Sequence, residues 1–134
     1  MKQYIGTKII HAEPMEKNGR EGYKVVYAPD GYESWSPKEA FEEAYRESNG
    51  MNFGLAIEAA KKGKKIARAG WNGKNQYVEL ATCISYINAD HNIINVNHCN
   101  IGNEALAFVG TSGVQMGWLA SQADMLADDW MVVG

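Results

Sequence analysis

The chain reads as an α+β protein: a small antiparallel β-sheet with short helices, preceded by a ββα unit at the N-terminus. Three observations carry that reading. Short runs rich in Ile, Val and Tyr recur along the chain, as β-strands require. The segments joining them beyond residue 65 are too short for helical crossovers, so neighbouring strands run antiparallel. Helix starts are few, and each is marked by a capping residue: Ser36, Asn52 and Ser121.

In chain order, Ile5 to His11 and Gly22 to Tyr27 are expected as two strands. The polar stretch between them, Glu16 to Arg20, contains the turn-forming pair Asn18-Gly19. The segment Asp30 to Pro37 combines a turn with Tyr32 and Trp35, which are expected to cover the small sheet. A helix follows, with Ser36 as N-cap, Pro37 in the first helical position and Glu39 completing a capping box. Ala40, Phe41, Ala44 and Tyr45 fall on one stripe of it. This accessory unit, residues 1–47, is marginal alone, and Ser48-Asn49-Gly50 reads as a linker.

The core domain is expected over 51–134. Asn52 caps a second helix that carries Phe53, Ala56, Ile57 and Ala60 on one face. Gly63 ends it in the left-handed conformation. Lys61 and Lys62 suit the negative end of its dipole. Strands are expected near Lys65–Ala69, Gln76–Ala81, Cys83–Ile87, Ile93–Val96 and Glu104–Val109. The glycine-rich stretch Gly110 to Gly117 is expected as a mobile gate or hairpin loop. A short helix from Ser121, with Asp124 placed for a capping box, and a last strand from Trp130 to Val133 complete the list.

Composition bounds the function. The net charge of -3 speaks against a DNA- or RNA-coating role. No apolar run approaches the roughly 20 residues of a membrane span, and Met1 to Gly6 lacks the apolar core of a secretory signal. Cys83 and Cys99 form no Cys-x-x-Cys pair and are expected as reduced thiols. A chain of 134 residues buries only about two thirds of its unfolded surface, so association is expected. Charge is uneven: residues 51–74 hold six basic side chains against Glu58, whereas residues 75–134 hold six acids and no Lys or Arg. Such asymmetry suits contacts between subunits, a phosphate site, or simply a solvated lysine-rich helix end.

Two stretches carry ligand chemistry. In Trp71-Asn72-Gly73-Lys74 an indole face can stack on a base, usually worth about 1–3 kcal/mol. Asn72 can meet a base edge or ribose, and Lys74 a phosphate. The alternative is a tight turn whose tryptophan covers a hydrophobic edge. Trp118 is followed by Ser121, Gln122 and Asp124, a second plate beside a hydroxyl, an amide and a carboxylate. The alternative there is that Ser121 and Asp124 only cap the helix while Trp118 packs inside. His91, His98 and Cys99 match no zinc spacing. Gly110–Gly117 lacks the ending of a phosphate-binding P-loop. No Ser-His-Asp or Cys-His set can be assembled, and the adjacent Asp128 and Asp129 make a poor acid–base pair. No catalytic residue, metal or cofactor is therefore assigned.

Met51 to Ala59, Gly63 to Arg68, Gly70 to Lys74, Gly117 to Ala127 and Asp129-Trp130 resemble, in order, a family of small phage proteins, the second type of Thoeris anti-defence proteins. The resemblance implies sequestration without cleavage. An infected bacterium makes a cyclic ADP-ribose isomer as an alarm signal, and the phage protein holds it in the host cytoplasm. It further implies homotetramers with pockets where protomers meet, and a second ligand class, guanine-containing cyclic dinucleotides of CBASS defence. Carried over by motif, Trp71 and Trp118 stack on bases, Asn72, Lys74, Ser121, Gln122 and Asp124 make polar contacts, and Phe53 and Met125 line the wall. No DNA, RNA or membrane partner is implied. Residues 1–47 lie outside the family's minimal core. A nucleotide-degrading enzyme and a phage structural or protein-interaction module are the competing expectations.

Overall fold

A computed structural model describes residues 1–71, 75–98 and 104–134 of the chain. It separates into two compact units, Met1–Glu47 and Ser48–Gly134. The architecture is α+β, with short helices and antiparallel sheets throughout.

In the first unit, β1 (Ile10–Pro14), β2 (Gly22–Tyr27) and β3 (Tyr32–Pro37) form a sheet in that order, followed by α1 (Lys38–Ala44). The β1–β2 hairpin turns on Asn18 and Gly19, both at positive φ. Lys17 and Arg20 exchange backbone hydrogen bonds of 2.9 and 3.0 Å across that turn. The first strand starts later than expected, at Ile10 rather than Ile5.

The second difference is a third strand, β3, where a turn was expected. Its backbone runs in register with β2, pairing Ser36 with Tyr23 and Pro37 with Gly22. Ser36 is consequently a strand residue and does not cap α1. Pro37 takes the N-cap position and offers no side-chain acceptor. Glu39 faces Arg20 at 3.9 Å instead of closing a capping box. Along α1, Phe41 and Tyr45 are half-buried, while Ala40 and Ala44 are exposed. Phe41 stacks on Tyr23 at 4.1 Å and on Tyr45 at 4.9 Å, and Val25 is the buried apolar side chain of this sheet. Trp35 donates its indole N–H to the Met15 carbonyl at 2.8 Å. Its ring lies so close over Gly22 that a Cβ there would overlap both the ring and the Ser36 carbonyl oxygen.

In the second unit, α2 (Phe53–Lys61) precedes β4 (Lys65–Arg68), β5 (Tyr77–Ala81), β6 (Tyr86–Ile87), β7 (Ile93–Ile94), β8 (Ala105–Gly110), β9 (Gly113–Met116), α3 (Gln122–Met125) and β10 (Trp130–Val133). Five strands form one antiparallel sheet in the order β10-β4-β5-β8-β9, and β6 and β7 form a separate hairpin. The side chain of Asn52 accepts the Leu55 N–H at 2.8 Å and starts α2. Gly63 ends the turn after α2 at φ 86°. Lys61 and Lys62 both approach Glu58, at 3.9 Å each.

The core lies between α2 and the sheet. Ala56, Ala59 and Ala60 are buried, and their small side chains let the helix approach Ile66, Val78 and Trp130 closely. Met51 joins this core and exchanges two backbone hydrogen bonds with Trp130, of 2.8 and 3.0 Å. The glycine-rich stretch resolves into the β8–β9 hairpin, with Gly110 paired to Gly113. All four residues of β9 are exposed on an outer edge of the sheet. Among the described residues no helix is long and apolar enough to cross a membrane.

Candidate functional site

Two turns leave β4 and β9 at opposite ends of the antiparallel sheet and bring their rings together at Phe108 of β8. Strand β4 ends at Arg68, and the chain folds back so that the Trp71 N–H donates to the Arg68 carbonyl at 3.3 Å. Strand β9 ends at Met116, and Gly117 follows at φ 81°, a conformation that glycine adopts without strain. The N–H groups of Gly117 and Trp118 then both donate to the Leu106 carbonyl, at 2.9 Å each. These bonds fix the backbone at each ring. Trp71 and Trp118 meet with centroids 6.1 Å apart, edge to face.

Two further aromatic residues complete the group. Trp130 lies 5.4 Å from Trp71 and 6.3 Å from Trp118, both edge to face. Phe108 on β8 lies 5.3 Å from Trp71 and 6.4 Å from Trp118. Phe53 joins the group through Trp130, at 5.4 Å. Trp130 is buried, whereas Trp71, Trp118, Phe108 and Phe53 are half-buried. Tilted and edge-to-face rings at such distances add about 0.5–1.5 kcal/mol per pair beyond burial. The arrangement is a stiff platform of indole rings, two of which keep part of their surface outside the core.

Beyond Trp118 the chain enters α3 through a complete capping box. The Ser121 hydroxyl accepts the Asp124 N–H at 3.1 Å, and the Asp124 carboxylate accepts the Ser121 N–H at 3.0 Å. Asp124 also accepts from Arg68 Nη1 at 3.0 Å. Its own carbonyl accepts the Trp130 indole N–H at 2.8 Å. Arg68 Nε donates in turn to Asp129 at 2.9 Å. Partial burial works against the Asp124 charge. The Ser121 amide, the Arg68 guanidinium and the Ser121 hydroxyl outweigh it and hold the carboxyl below its ordinary range. Arg68 is held charged still more firmly, first by Asp129 and then by Asp124.

The structure thus brings together Trp71, Trp118 and Phe53, the last through Trp130. Ser121 and Asp124 sit beside them, engaged with one another and with Arg68. Gln122 and Met125 are exposed on α3. Asn72, Lys74 and Cys99 lie outside the described residues. Sequence reasoning left Arg68, Phe108, Asp129 and the indole of Trp130 out of the site. Trp130 was legible as a strand residue. Phe108 had the alternation of a strand, in register with Val78. The ion pairs of Arg68 span 56 and 61 positions and leave no local pattern. They also join the basic part of the chain to its acidic part within one molecule.

Other features stand apart. A hollow of about 210 Å³ is lined mainly by Ile57, Ala60, Leu80, Ala105 and Leu106, with Lys61 and Glu104 among its walls. His98 Nδ1 lies 2.8 Å from the Cys83 carbonyl oxygen. Among the described residues no group of three His, Cys, Asp or Glu side chains is placed to hold a metal.

Comparison with known proteins adds family evidence. The family model described as the Thoeris anti-defense 2-like domain matches residues 51–133. A protein of Bacillus phage SP01 named Thoeris anti-defense 2 is 33% identical over 90 residues, which is 62% of this chain and 94% of that protein.

Proposed function

The chain belongs to the Thoeris anti-defense 2-like family of phage anti-defence proteins, and from that premise we propose that it is a sponge for cyclic nucleotide immune signals. It binds a cyclic ADP-ribose isomer and holds it intact, and it takes guanine-containing cyclic dinucleotides as a second ligand class. It works as a homotetramer, which multiplies sites per molecule.

One observation carries this reading: Trp71 and Trp118, from turns far apart in the chain, stand side by side and half-buried on a rigid aromatic base. Rings held in advance lose little freedom on binding, so their stacking energy goes into affinity. A sponge needs affinity and no turnover. Asp124, a carboxylate beside this platform, is committed to Arg68 and to the α3 cap. It serves as a fixed charge and not as a proton carrier.

The test is direct. Incubate the protein with cyclic ADP-ribose isomers, remove free nucleotide, denature by heat, and analyse what is released. Intact ligand in stoichiometric amount is expected. A cleaved product would make the protein an enzyme, and release of no nucleotide would end the sponge reading.

A further inference from the structure

We infer that Arg68 is the positioning residue of the tryptophan platform, acting by clamping Asp124 and Asp129 so that the segment carrying Trp118 is held in place. The inference rests on the sponge reading for its functional consequence.

The segment between Trp118 and Trp130 needs such a clamp. Helix α3 has four residues and buries none of them. Leu119 and Leu126, its large apolar neighbours, are 89% and 78% exposed. Apolar burial within α3 therefore does not hold it down. Beyond Trp118 and Ala127, which pack on the core at either end of it, its ties to the sheet are polar. Arg68 Nη1 reaches Asp124 at 3.0 Å, and Nε of the same planar group reaches Asp129 at 2.9 Å. One rigid guanidinium thereby fixes the distance between two carboxylates, and it does so beside the backbone acceptors that Asp124 and Asp129 offer to the Trp130 indole and the Ala69 N–H. The Arg68 side chain is only 24% exposed, so these bonds are better shielded than those of a surface pair.

The same residue reaches the other ring through its backbone. Its carbonyl accepts the Trp71 N–H at 3.3 Å, and the adjacent Ala69 N–H donates to the Asp129 carbonyl at 3.2 Å. Arg68 thus stands at the junction of both tryptophan turns. A lysine would not replace it. An ammonium group is a compact charge on a flexible stem and lacks the planar fork that spans two acceptors.

The experiment compares R68K, R68Q and the double variant D124N/D129N with the wild-type chain. Each is read by near-ultraviolet circular dichroism without ligand and by affinity for the cyclic ADP-ribose isomer recovered in the release assay. All three are expected to keep the far-ultraviolet spectrum and lose the near-ultraviolet tryptophan signal. All three are expected to lose affinity by about tenfold, the cost of ordering a freed side chain or two on binding. An R68K or R68Q variant with unchanged dichroism and affinity overturns the inference. So does a double variant that binds as well as wild type while R68Q does not, because Arg68 would then be touching ligand itself. If R68Q does not fold, R68K and the double variant decide. If the wild-type chain binds no cyclic nucleotide, the sponge reading fails, and the ligand-free dichroism still judges the clamp.

Discussion

Trp71, Trp118 and Trp130 place the same ring in different settings. Trp130 is fully buried against Met51, Ile66 and Val78, and its N–H is satisfied by the Asp124 carbonyl. Trp130→Ala should cost about 3–5 kcal/mol of stability, as other large-to-small core changes do, and denaturant unfolding will show it. Trp71 and Trp118 are half-buried, so their truncation divides differently. Trp118→Ala should weaken cyclic nucleotide binding by about 1–3 kcal/mol, the worth of one stacked base, with most of the fold retained. Calorimetric titration beside a melting curve separates the two effects. A variant that binds as before would remove Trp118 from the site. At Gly22 the constraint is space. A methyl group there would meet Trp35 and the Ser36 carbonyl oxygen, and Gly22→Ala should cost about 1–3 kcal/mol through overpacking. A protease that cuts the first unit faster in the variant would report it.

Among the elements, those governed by local rules were legible and those governed by distant partners were not. Asn52 and Ser121 cap their helices by bonds to N–H groups three residues on, so α2 and α3 could be placed from sequence. Ser36-Pro37 carries the same local signature, yet the ladder with Gly22 and Tyr23 claims it for β3. A sheet partner thirteen or more positions away overrides a cap that would satisfy one N–H group. At α3 the paired charges give a pH signature. Asp124 titrates below the ordinary aspartate value in the folded chain. A depressed folded-state value means stability that is complete above the unfolded value of about 3.9 and lost as pH falls through the folded one. Melting temperatures should therefore drop below about pH 4 more steeply for wild type than for Asp124→Asn. Parallel curves would show that this carboxylate is not linked to folding.

For the whole molecule, the two units carry separate sets of buried residues, Val25 in the first and the Met51–Trp130 cluster in the second. The family match covers residues 51–133 only. A chain lacking residues 1–47 should therefore fold and bind cyclic nucleotide with unchanged affinity, which titration calorimetry will measure. At a ligand concentration about a hundredfold above Kd, stability should rise by about 2.7 kcal/mol, visible as an upward thermal shift. The overall class was accessible from pattern, and both tryptophan turns were singled out by pattern and resemblance. The Arg68 bridge became visible only when β4 and the 124–129 segment were brought side by side. Indole distribution gives the molecule a built-in optical asymmetry. Trp35 is the one tryptophan before residue 48, and the other three stand within 6.3 Å of one another. Excitation landing on any of those three hops among them before a photon leaves, so their emission is depolarised. Replacing Trp35 by phenylalanine would leave a chain whose whole fluorescence anisotropy reads the spacing of the remaining trio.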